Sequence, residues 1–147
     1  MATIVVGVDG SAGSLHALRF AAEEARLRAA RLHVVLAWEF PVSLYAGAAW
    51  PVPNGGTLGD FRSLAEDRLR EALDLAAPAL EGLEVERSLI EGATVQVLLE
   101  AARDAALLVV GTRGHGGFVG LLLGSVSQQV AHHASCPVLI VPEPDAG

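Results

Sequence analysis

A chain of 147 residues that is 52% hydrophobic and 18% charged has the composition of a folded domain, not of a disordered segment. Its net charge of −7, from 17 acidic residues against ten arginines and no lysine, argues against a nucleic-acid partner, which would ask for a basic face. No apolar stretch approaches the roughly 18 residues that a membrane span needs, and no basic-then-apolar leader opens the chain, so the expectation is a single cytoplasmic domain over residues 1–147.

The β-branched run Thr3–Val8 predicts a strand buried on both faces, ended by the turn Asp9-Gly10-Ser11. From Ser14 to Ala30 the apolar positions Leu15, Leu18, Ala22, Ala25 and Ala29 recur at helical spacing, with Arg19/Glu23 and Glu24/Arg28 four apart on the outer side. Leu32–Trp38 is a second apolar strand. Residues 40–59 carry no charge but hold Leu44, Tyr45 and Trp50, and a connection this long is functional, as a lid or partner contact, or an inert packed loop, or disordered. Asp60–Leu80 reads as a long helix that Pro78 bends or ends. Leu83–Glu91 is a strand, and Thr94 is the expected N-cap of a helix to about Asp104. Ala105–Val110, Val126–His133 and Pro137–Val141 complete the series as strand, helix and strand. Strands alternating with helices make an α/β protein with a mainly parallel sheet, covered on both faces and doubly wound.

One segment departs from plain packing. Gly111-Thr-Arg-Gly114, nine residues, then Gly124-Ser125 lies between a strand and a helix N-terminus, where free N–H groups and glycine backbone suit a phosphate. The spacing is neither of the familiar phosphate loops: a Walker loop needs a lysine, and the dinucleotide fingerprint needs three glycines within six residues after the first strand. Ser125-Val-Ser-Gln128 has the form of a capping box, which would make Ser125 the N-cap of the last helix. Asp9 either accepts hydrogen bonds from a nucleoside, holds Mg²⁺, or merely closes an Asx-turn. Arg113 and His115 lie inside the glycine loop and either neutralise phosphate or face solvent. Gly7 lets a ligand or an adjacent helix approach the first strand. Cys136 cannot form an internal disulfide and is expected to be a buried structural thiol. His132-His133 diverge too far around a helix to share a metal, and His16 and His33 have no evident companions.

Gly-x2-Gly-x9-Gly-Ser near the end of a chain that opens Ile4-Val-Val-Gly-Val-Asp-Gly-Ser11 and closes Cys136-Pro-Val-Leu-Ile-Val-Pro142 resembles the ATP-binding class of the universal stress protein family, and the resemblance spans the whole chain. It implies a Rossmann-like, adenine nucleotide alpha hydrolase-like sheet of order 3-2-1-4-5. The Asp9 turn and the Gly111 turn then meet at the switch point where open α/β sheets bind ligands. The implied ligand is ATP, or another adenine nucleotide, with Mg²⁺ at Asp9. The contacts fall to Gly7, Asp9 and Ser11, to Ala37 at the adenine edge, and to Val110, Gly111, Arg113, Gly114, His115 and Gly116. The triphosphate goes to Gly124, Ser125, Val126 and Ser127. The resemblance also implies a homodimer through the strand Pro137–Val141. The function expected is a nucleotide-dependent regulator or sensor in a stress response, with slow ATP hydrolysis or phosphotransfer as the alternative; no catalytic residue is assigned.

Overall fold

The computed structural model describes residues 1–39, 58–112 and 124–143. The uncharged connection, with Tyr45 and Trp50, lies almost wholly outside them, as do Arg113, Gly114, His115 and Gly116.

Five strands, β1 (Thr3–Gly7), β2 (Arg31–Trp38), β3 (Val85–Glu91), β4 (Leu107–Gly111) and β5 (Val138–Val141), form one parallel sheet of order β3-β2-β1-β4-β5. The helices are α1 (Ala12–Arg28), α2 (Leu58–Leu75), α3 (Ala77–Leu80), α4 (Thr94–Ala101) and α5 (Ser125–His133). The strands are apolar on both sides because each side meets a helical layer. Ile4, Val6, Leu32, Val34, Leu36, Leu107 and Val109 pack with the buried faces of α1 and α2, whereas Val5, Val35, Leu108 and Val110 pack with Val97 and Leu98 of α4 and Val130 of α5. Successive strand residues point to opposite faces, so alternate positions feed the two cores.

Local chemistry sets the element ends. Ser11 caps α1, its hydroxyl accepting from the Ser14 N–H at 3.1 Å, so the helix begins two residues earlier than its apolar spacing suggested. It ends with Ala29 in the left-handed region at φ 51°, where the Ala30 N–H reaches the Ala25 carbonyl at 2.8 Å and the Ala29 N–H reaches Arg26 at 3.3 Å. The helix foreseen over Asp60–Leu80 is two pieces. The break falls at Ala76, two residues before Pro78, which has no N–H to continue an α-helix and sits instead in the first turn of α3. Of the two pairs expected on α1, Arg28 meets Glu24 at 3.2 Å, but Arg19 turns to the Leu75 carbonyl at 3.2 Å. Among the described residues no helix is long and apolar enough to cross a membrane.

Three further sequence expectations need correcting. Thr94 is the first residue of α4 and not its cap: Ala93 holds the extended N-cap position and no side chain caps the helix. Cys136 is only partly buried; that burial pushes its thiol above the ordinary range, with its own backbone N–H and that of Leu108 pulling partly the other way. His33 does have a companion, because β2 pairs with β3 and brings its Nε2 to 2.8 Å from the Ser88 hydroxyl.

Candidate functional site

β1 and β4 are adjacent in the sheet, yet β1 continues toward β2 and β4 toward β5. The strand order therefore reverses between them, and their carboxyl ends carry the Asp9 turn and the Gly111 turn, side by side at the switch point where open α/β sheets bind ligands.

At the end of β1 the polar groups interlock. The Asp9 carboxylate accepts from the Ser11 N–H at 2.9 Å, the Asx-turn that was one of its readings. The Ser14 hydroxyl, buried, accepts from the Asp9 N–H at 3.2 Å and donates to the Ser11 carbonyl at 3.1 Å. Gly10 turns the chain at φ +87°, a conformation open to glycine without strain. Ser14 was not singled out in the sequence; its only signal is Ser11-x-x-Ser14, a pattern shared by many ordinary helix starts.

Gly7 has a packing reason. A Cβ there would lie 2.9 Å from both Cδ atoms of Leu98, a residue almost fully buried on α4, so of its two readings the structure bears out the close approach of a helix. Val110 likewise gives its side chain to the core, which leaves only its backbone to a ligand. Ala37 is partly exposed and lies two residues beyond Val35, where β1–β2 pairing ends. The Val8 N–H donates to the Val35 carbonyl at 2.9 Å, which fixes the alternation: the N–H and C=O of Ala37 turn toward the β1 side, past the last rung.

The end of β4 is clasped to the start of α5. The Thr112 carbonyl accepts from the Gly124 N–H and from the Ser127 hydroxyl, the latter at 2.9 Å and also 3.0 Å from the Gly124 carbonyl. The two ends of segment 113–123 are thereby held side by side. Ser125 is not the cap that its capping-box pattern announced. Gly124 takes the N-cap position, with no side-chain hydrogen bond, and Ser125 is the exposed first residue of the helix. The Ser that reaches back is the buried Ser127, and it reaches carbonyls rather than N–H groups. The first-turn N–H groups of a helix have no partner within it, and among the described residues no side chain caps this one. Of the two helices that begin at these strand ends, α1 is capped by the Ser11 hydroxyl, and α5 has no side-chain cap among the described residues.

Just beyond Ala37, Trp38 is buried, and its Nε1 has no hydrogen-bond partner among the described residues. Among the described residues no three His, Cys, Asp or Glu side chains gather as a metal site.

The comparisons agree with the fold. The family model described as "Universal stress protein family" matches residues 1–142. This chain belongs to the universal stress protein family. A universal stress protein of Thermus aquaticus is 38% identical over 144 residues, covering 95% of this chain and 97% of its own length. One of Mycobacterium tuberculosis is 34% identical over 143 residues, covering 97% of this chain but 46% of the relative; the chain spans about half the length of such mycobacterial relatives. Among solved structures, a universal stress protein in complex with cAMP matches at 36% identity and TM-score 0.68, covering 97% of this chain and 98% of that one. The universal stress protein from Archaeoglobus fulgidus in complex with dAMP matches at 28% identity and TM-score 0.69, covering 96% and 98%. The five-stranded order and the helical layers are those of this family's fold.

Proposed function

We propose that this universal stress protein binds an adenine nucleotide, with ATP as the ligand, and works as a nucleotide-dependent regulator or sensor in a stress response. The observation that carries the reading is the N-terminus of α5, without a side-chain cap among the described residues and clasped through Ser127 and Thr112 beside the Gly111 turn at the switch point. Its first-turn N–H groups suit phosphate, and the backbone of Ala37 offers one donor and one acceptor to the adenine edge. Relatives solved with cAMP and with dAMP support the ligand class. In this reading the Asp9 carboxylate faces the nucleoside or shares Mg²⁺ with the phosphates, which supply most of the oxygens that the ion needs. Gly114, Arg113, His115 and Gly116 are proposed as the loop that completes the phosphate seat.

Mass spectrometry of ligand released from freshly purified protein, followed by calorimetric titration with ATP and Mg²⁺, tests the proposal. Saturation at about a hundred times Kd contributes about 2.7 kcal/mol, which raises Tm by roughly 5–10 °C in a domain near this size. GTP raises it less, because its edge presents the reversed donor and acceptor to Ala37. Phosphate release in the same mixture is expected far below the ~10 s⁻¹ of a typical enzyme. No thermal shift with any nucleotide overturns the functional reading and leaves the family and the fold.

A further inference from the structure

Nucleotides are polyanions with a flat aromatic base, and arginine is this chain's only permanently cationic side chain, since it has no lysine. Most of its described arginines are already committed. Arg19 and Arg26 donate to carbonyls, of Leu75 and of Ala79 and Glu81, and Arg28, Arg31, Arg70 and Arg103 each pair with a carboxylate. Three others, Arg62, Arg68 and Arg87, make no hydrogen bond or ion pair among the described residues.

Position separates these three. Arg87 lies in mid-strand on β3, opposite Val34, far from the carboxyl ends. Arg68 of α2 lays its stem across the turn at the end of β1. A Cβ at Gly10 would lie 3.3 Å from Arg68 Cδ and 3.4 Å from Cγ. Arg62 is six residues earlier on the same helix, so it points roughly 120° away around the axis. Of the three, only Arg68 lies beside the Asp9-Gly10-Ser11 turn, and it is an exposed residue with no hydrogen bond or ion pair among the described residues.

The side of the sheet indicates what it meets. The helix that carries Arg68 packs over β2, the strand that carries Ala37, whereas α5 belongs to the opposite face. Arg68 thus borders the side of the switch point where the nucleoside is proposed to lie, away from the phosphate seat. A planar guanidinium on an aliphatic stem held by backbone contact is suited to stacking on a purine.

We propose that Arg68 is a specificity-determining residue that closes the nucleoside end of the site by stacking its guanidinium on the base. The assignment rests on the adenine-nucleotide reading above and adds to it a residue outside the glycine loop. Arg68→Met keeps the stem against Gly10 and removes only the guanidinium; Arg68→Lys keeps the charge and removes the plane. Titration of adenosine, AMP and ATP against the three proteins is the test. The Met variant is expected to lose about tenfold in affinity for all three ligands alike, with no dependence of that factor on added salt, and Lys is expected not to restore it. A loss confined to AMP and ATP, growing with phosphate number or relieved by Lys, overturns the base contact, and so does an unchanged affinity. Wild-type protein that binds ATP but shows no loss in the variants removes Arg68 alone. Wild-type protein that binds none of the three removes the nucleotide reading and the assignment with it.

Discussion

Gly7 shows how much a single missing methyl group sets in this sheet. Its side faces Leu98, which is 2% exposed and held by α4, so an added Cβ at 2.9 Å has to push a buried side chain aside. Gly7→Ala is expected to cost about 1–3 kcal/mol in urea unfolding, the range for overpacking a well-filled core. In the double variant Gly7→Ala with Leu98→Ala, the new methyl fills part of the space that the leucine leaves. The combined loss should fall clearly below the sum of the single losses. Strict additivity would mean that the two residues do not meet. At this scale the sequence was legible in kind and not in assignment. That glycine and serine matter near residues 7–14 and 124–128 is written in the chain. Which serine caps, which reaches a carbonyl and which is exposed depends on the path of the loop between Thr112 and Gly124. The capping-box letters of Ser125-Val-Ser-Gln128 put Ser125 at the cap, whereas the helix starts one residue earlier, with Gly124 at the cap and Ser127 in place of a Gln at the third helical position.

At the scale of elements, periodicity located all five strands and the main helices, because apolar runs of four to eight residues between polar turns have few other uses in an α/β chain. Boundaries moved where the ends are fixed by hydrogen bonds that periodicity does not register. α1 starts early because Ser11 caps it, and the helix before β3 is cut because Pro78 cannot donate. The other end of α1 carries avoidable strain. Ala29 sits at φ 51° and ψ 44° in a position that glycine usually fills, since an L side chain is disfavoured there. Ala29→Gly keeps both capping hydrogen bonds and removes the Cβ clash. It is expected to stabilise the protein by about 0.5–1 kcal/mol, a Tm rise of roughly 1–4 °C by calorimetry. A lower Tm would show that the added freedom of glycine in the unfolded chain outweighs the relief.

For the whole molecule, the strand order was not legible from spacing, since right-handed crossovers permit more than one order; it came from the family resemblance, and the paired strands agree with it. That order leaves β5 at one edge, and the hydrogen bonds say which of its groups face outward. The Pro137 carbonyl accepts from the Leu108 N–H at 2.9 Å and the Val141 carbonyl accepts from the Thr112 N–H at 3.2 Å, so alternate residues turn to β4. Val138 and Ile140 therefore direct their N–H and C=O away from the sheet. A short apolar strand with outward donors and acceptors is a template for pairing, and a second copy supplies the matching set in antiparallel register. We accordingly propose a homodimer through Pro137–Val141. Sedimentation at micromolar concentration is expected to give about twice the 15.2 kDa of one chain. Ile140→Pro deletes one outward N–H without touching a bond to β4, and should shift the equilibrium toward the single chain. A mass of 15.2 kDa that persists as the wild-type concentration rises would rule the dimer out, because an edge built to pair with itself has to do so by mass action.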